Sequence, residues 1–132
     1  MEKFVLSALV EDKSGVLSRV SGLFSRRGFN IASLTVCETH NPEQSRMTIV
    51  VAGDEYVLEQ IEKQLSKLVE VISISHCKKE ETCEREMALI KVKATGSEEK
   101  IESLIRLLEP YGILELVKTG LAAMERGEKV MK

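Results

Sequence analysis

The chain contains no tryptophan and few aromatic residues of any kind, three Phe and two Tyr among 132 residues. Its core must therefore be aliphatic, and the apolar fraction of 43% is large enough to build one. Length alone fits one ordinary domain or two small ones. Basic residues do not predominate: 19 Lys and Arg face 21 Asp and Glu, mixed along the chain. A nucleic-acid footprint needs a concentrated basic face, so that class of partner is excluded. No apolar run approaches the ~18 residues of a membrane-spanning helix. The start, Met1-Glu2-Lys3 followed by alternating residues, is not a signal peptide, which makes the cytoplasm the expected compartment. Three cysteines, Cys37, Cys77 and Cys83, are an odd number and suit reduced thiols better than a disulfide framework. His76-Cys77 and Cys83 lack the spacing of a zinc site, and no second close pair exists, so no metal is expected.

The machinery of covalent chemistry is missing as well. His40 and His76 are the only histidines, and His40 falls in a turn beside Asn41 and Pro42, where a solvated ring is the simpler reading. Ser25, Ser45 and Cys37 sit in no nucleophile motif. No phosphate-binding loop and no dinucleotide glycine pattern occurs. No catalytic residue is therefore assigned, and the chain reads as a sensor of a small amino acid rather than an enzyme.

What is present is a clear alternation of elements. Residues 3–10 read as a central strand, with Phe4, Leu6, Ala8 and Val10 alternating against Val5, Ser7 and Leu9. Asp12 or Ser14 can cap the helix that follows. Val16, Leu17, Val20, Leu23, Phe24 and Arg27 then recur at helical spacing, and Gly28 ends the helix. Residues 30–39 and 46–52 form two strands joined by the turn His40-Asn41-Pro42-Glu43. Arg46, at the start of the second of these, reads as a surface residue or a partner contact. Gly53-Asp54 opens a second helix with Val57, Leu58, Ile61, Leu65, Leu68 and Val69 on one face, and 71–75 is a fourth strand.

The order β-α-β-β-α-β over residues 1–77 is that of the ferredoxin-like α+β unit. It puts both helices on one face of an antiparallel sheet and leaves the other face to be covered, most cheaply by a partner sheet or a second copy. The charged stretch 78–85, KKEETCER, reads as a linker. Residues 86–132 then give a strand at 87–94, a helix capped by Ser97, and a last strand at 113–124. That βαβ module is too small to stand alone.

The loop 11–17 is the natural site. Gly15 lets a ligand approach backbone with no side chain in the way. The first amides of the helix lack internal partners and carry partial positive charge, which suits a carboxylate. Asp12 can then take an ammonium group, Asn30 can bond either end of a zwitterion, and Val16, Ile31 or Leu34 can line an apolar pocket. The same residues also admit a purely local reading, in which Asp12 and Ser14 cap, Gly15 turns and Asn30 follows a glycine. A ligand of about eight heavy atoms binds in the micromolar-to-millimolar range. Each buried methyl adds on the order of 0.8 kcal/mol, so a branched side chain is separated well from alanine and valine poorly from leucine.

The strings SGVLSRVSGLFSRRGFNI, SLTV, SRMTIVV and EQIEKQLSKL resemble the regulatory small subunit of acetolactate synthase, a family with an amino-acid-binding ACT domain. The ending KTGLAAMERGEKVMK, with Gly120, Arg126 and Gly127, is similar to that family's C-terminus. The resemblance implies an ACT domain over residues 1–77 that pairs side by side with a second copy as a homodimer or larger homo-oligomer. It implies an effector, typically valine, held between the loop of one chain and the second strand of the other, at positions Asp12, Gly15, Val16, Leu17, Asn30 and Ile31. It implies a partner, the large catalytic subunit, which carries thiamine diphosphate, magnesium and FAD, while this chain binds no cofactor itself. Many members of the family have Asn in place of Asp12, and relatives carry a helix and two strands after REMALIKVKA that this chain lacks, so its C-terminal module is a shortened one. Two other classes compete. A stand-alone ACT sensor would serve some other enzyme. A small acylphosphatase-like hydrolase would need an arginine-bearing anion loop, where this chain has Glu11-Asp12-Lys13.

Overall fold

The computed structural model describes residues 2–92, 97, 113–118 and 122–126. Strand β1 (Glu2–Glu11) leads into helix α1 (Val16–Arg27), strands β2 (Asn30–Glu38) and β3 (Gln44–Gly53), helix α2 (Glu55–Leu65) and strand β4 (Val71–His76). A 3-10 turn at Lys79–Glu81 precedes β5 (Thr82–Arg85), β6 (Ala88–Val92), β7 (Ile113–Lys118) and β8 (Ala122–Glu125). The α+β class and the βαββαβ order are as expected from sequence. No helix among the described residues is long and apolar enough to cross a membrane.

The first four strands form one antiparallel sheet in the order β2-β3-β1-β4, so β2 and β4 are its edges. Alternation along the central strands sets the two faces. Phe4, Leu6, Ala8 and Val10 from β1, with Met47, Ile49 and Val51 from β3, meet Val16, Val20, Leu23 and Phe24 of α1 and Leu58, Ile61 and Leu65 of α2. Both helices therefore share one face, and this aliphatic layer is the main core.

The helices end where local chemistry ends them. At the C-terminus of α1, Gly28 adopts φ +70°, and the Phe29 amide bonds back to the Phe24 carbonyl at 3.0 Å. Asp54 caps α2, its Oδ1 accepting the Val57 N–H at 2.9 Å. Val69 was expected on the buried face of α2 but is 88% exposed. The helix stops at Leu65, and the Lys67 amide bonds the Gln64 carbonyl in a tighter turn that rotates the following residues out of phase.

Gly53 is fixed by space rather than dihedral angle. A Cβ there would lie 2.8 and 2.9 Å from Cγ1 and Cβ of Val57, whose branched side chain cannot swing away within a helix. Gly53→Ala is expected to lower stability by about 1–3 kcal/mol, read as a shifted urea midpoint at unchanged slope.

The second face of the sheet is partly covered by the same chain. Residues 78–85, expected to be a linker, contain β5, which pairs antiparallel with β8 from Thr82↔Glu125 to Arg85↔Ala122. Ala123 packs with Val5, Val50 and Cys77 on that face, and Arg46 Nη2 donates to the Ala123 carbonyl at 2.8 Å. Within the last strand expected over 113–124, the described residues form β7 and β8, which take different partners, β6 and β5. The chain accordingly divides into two compact units, residues 1–85 with 120–132 and residues 86–119. The second unit contains the β6–β7 pair; the helix expected after Ser97 lies outside the described residues.

Candidate effector-binding site

The loop between β1 and α1 is clamped from two sides by backbone bonds. The Glu11 amide donates to the Glu70 carbonyl and the Asp12 amide to the Glu43 carbonyl, both at 2.8 Å. A side-chain ion pair between Arg19 and Glu70 adds a second tie from α1 to the turn before β4. The loop is therefore positioned by the sheet's own connections, without help from a ligand.

Neither Asp12 nor Ser14 caps α1, contrary to the sequence expectation. Gly15 is the N-cap residue, at φ +87°, and no side chain bonds the helix amides there. The Asp12 carboxylate is instead turned toward β3, where Ser45 Oγ donates to Oδ1 at 3.0 Å. The Val16 amide reaches the Lys13 carbonyl at 3.3 Å, and the Gly15 carbonyl accepts from Arg19 at 3.0 Å. Leu17 and Ser18 follow, too early in the helix to find an internal carbonyl. Gly15 just before them leaves space, since an added Cβ there would meet nothing nearer than Arg19 Nη2 at 4.0 Å.

The remaining expected residues divide into two groups. Val16 is 3% exposed and belongs to the core, so its side chain does not line a surface pocket. Leu17 is exposed beside the open helix end. Asn30 and Ile31 lie elsewhere. Asn30 pairs with Ala52, which pairs with Lys3 on β1, and Ile31 pairs with Val51. Asp12 is nine residues further along β1 than Lys3, roughly 30 Å at strand rise. Within one chain, Asp12, Gly15 and Leu17 are thus together at one end of the sheet, and Asn30 and Ile31 are at the other.

One participant was not assigned a role from sequence. Ser45 fixes Asp12, and only the strand register, Val10↔Ser45 and Glu11↔Gln44, brings it beside the loop. Ser45→Ala is expected to free the carboxylate and weaken amino-acid binding several-fold with little loss of stability, about 0.5–1.5 kcal/mol for the hydrogen bond. Calorimetric titration beside a thermal melt checks both. Cys37, Cys77 and Cys83 form no disulfide among the described residues, and no group of His, Cys, Asp and Glu among those residues is placed to hold a metal.

Comparisons with known proteins match both halves of the chain. Residues 6–73 match the family model described as the AHAS small subunit-like ACT domain, and residues 92–127 match that of the small subunit of acetolactate synthase. An acetolactate synthase small subunit of Mycolicibacterium smegmatis is 45% identical, over 94% of this chain and 91% of its own. A probable acetolactate synthase small subunit of Methanothermobacter thermautotrophicus is 42% identical, over 96% of this chain and 95% of its own. These alignments run over 155 and 159 positions against 132 residues here, so the relatives carry residues that this chain lacks. The crystal structure of the acetolactate synthase small subunit from Thermotoga maritima superposes with a TM-score of 0.82 at 37% identity, covering 98% of this chain and 100% of that one. With two family models matched along the chain, relatives at 42–45% identity over more than nine-tenths of both chains, and a solved small subunit of the same fold, the chain belongs to the family of acetolactate synthase small subunits.

Proposed function

We propose that this protein is a feedback regulator that binds valine, or a related branched-chain amino acid, at an interface between two copies of itself and passes that state to a large catalytic subunit. The catalytic subunit carries thiamine diphosphate, magnesium and FAD; this chain contributes no catalytic residue. The compartment is the cytoplasm, where branched-chain amino acids are made.

The supporting observation is the combination of a helix start without a side-chain cap and the position of β2 at an edge of the sheet among the described residues. The open amides at Gly15, Leu17 and Ser18 suit the effector carboxylate, and Asp12 suits its ammonium. Asn30 and Ile31 sit on β2, an edge of the sheet among the described residues, at the end far from Gly15. Antiparallel pairing of β2 with β2 of a second copy reverses direction. It carries the Asn30 end of one chain toward the Glu38 end of the other, the level of the sheet where the 11–17 loop lies. A two-fold dimer therefore assembles two complete sites from halves that no single chain can bring together. Regulation of a partner by such a site needs a coupling free energy of about 1–3 kcal/mol, a several-fold change in activity.

The test is titration of the full chain with valine, isoleucine and leucine, alone and with the catalytic subunit present. Saturable binding at one site per chain, and a valine-dependent fall in acetolactate formation by the complex, are the expected results. Failure of the two proteins to associate removes the regulatory role. Asn30→Ala is expected to weaken valine by about 1–3 kcal/mol, and an unaltered isotherm removes that residue from the site.

A further inference from the structure

We propose that the face of the sheet away from the helices holds a second small-molecule site, specific for a short-chain organic carboxylate without an ammonium group. A cavity of about 590 Å³ lies between that face and the β5–β8 pair. This volume is in the range of ordinary ligand pockets. Leu9, Ala123 and Met124 give it apolar walls, and two arginines are among its lining residues, Arg46 from β3 and Arg85 from β5.

The charge and geometry select the ligand. Arg46 is half-buried, and its Nη2 is steadied by the Ala123 carbonyl at 2.8 Å, which leaves most of a five-donor planar fork for an acceptor in the cavity. Arg85 is held by its own strand, Nη1 donating to the Glu84 carbonyl at 2.7 Å. Glu38, at the exposed end of β2, is the one carboxylate against these two cations. A carboxylate matches the guanidinium fork with two parallel hydrogen bonds. A free amino acid would bring its ammonium into the field of both cations with only Glu38, exposed at the end of β2, to offset them, and a bare phosphate would leave the apolar walls without contact.

Unsatisfied groups on the same face supply an independent observation. Ser7 Oγ and Ser73 Oγ are buried and without a partner. Ser7 is two residues from Leu9 and so shares its face, and Ser73 is directly opposite Leu9 across the β1–β4 ladder. Ser7 also pairs with Thr48, and Thr48 with Thr35, both of which line the cavity. Thr35 and Thr48 thus line the cavity itself, and Ser7 and Ser73 lie on the same face of the sheet next to lining residues, outside the lining. Buried polar atoms without partners are rare in folded proteins and call for a ligand or water to satisfy them.

The experiment uses the full chain with isovalerate as probe and inorganic phosphate as control, read by calorimetry and ligand-observed NMR. Isovalerate is expected to bind saturably in the millimolar range without displacing valine, and phosphate is not expected to bind. Arg46→Gln, which keeps a donor for the Ala123 carbonyl, and Arg85→Gln are each expected to weaken isovalerate about tenfold or more. Gly15→Asp, at the effector loop, is expected to leave isovalerate binding intact, so failure of this site and failure of the effector site read out separately. Should Arg46→Gln fail to fold, the exposed Arg85 carries the test. No saturable isovalerate signal overturns the proposal, as does equal binding of phosphate, or loss of isovalerate binding in Gly15→Asp with retention in the arginine variants.

Discussion

Gly15→Asp is expected to fold like the parent and to bind valine at least about a hundredfold more weakly. The two halves of this expectation have separate causes. Gly15 has φ +87°, a region that costs an L-residue roughly 1–2 kcal/mol, least for Asn and Asp. The substitution meets no atom nearer than 4.0 Å, so it introduces no clash. A carboxylate at the N-cap also bonds the open helix amides and complements the helix dipole, which offsets about 1 kcal/mol of that strain. Stability therefore changes little. Binding changes greatly, because the new side chain takes the donors and the positive potential that the effector carboxylate needs and adds a like charge within a few ångströms of it. A melting temperature within a few degrees of the parent, together with a flat valine titration, is the expected pair of measurements. An isotherm that survives the substitution would show that the open helix end is not where valine sits.

The core of this fold was legible because two periodicities run uninterrupted. Phe4, Leu6, Ala8 and Val10 alternate, and Val16, Val20, Leu23 and Phe24 recur at helical spacing, so strand, helix and buried face could each be read from spacing alone. Gly28 and Asp54 mark helix ends through local chemistry and fall where expected. Readings that depended on distant partners were different. Val69 continues the apolar pattern of α2, but the helix has already ended. The stretch 78–85 is so charged that it reads as linker; its strand exists because β8, some forty residues later, pairs with it. Arg46 carries no local sign that a carbonyl at position 123 receives it. The site behaves in the same way. Gly15, with no side chain of its own in a ligand's way, is visible in sequence, whereas the role of Asp12 depends on Ser45, which lies 33 residues away and is brought beside it only by strand register. Val16 could be assigned to core or pocket equally well by spacing, and its burial at 3% decides for core.

The separation of Asn30 from Gly15 has a consequence that a single-chain site could not imitate. Gly15→Asp and Asn30→Ala chains, each silent toward valine at a suitably chosen concentration, are expected to regain binding when unfolded together and refolded as a mixture. Random pairing of equal amounts gives about half heterodimers by symmetry. Each heterodimer has one interface site with both substitutions and one with neither. About a quarter of the parental site number should return, with parental affinity, because the restored sites contain only unaltered residues. The argument rests on the register, which puts Asn30 opposite Ala52 and Lys3, at the far end of the sheet from Asp12. A site contained within one chain would leave every site in the mixture with a defect, and no mixing ratio could then recover high-affinity binding. Calorimetry on the refolded mixture counts the sites directly. Varying the ratio of the two variants at constant total concentration should trace a maximum at equal proportions. A response equal to the sum of the two separate variants at every ratio would rule out a site shared across β2 edges.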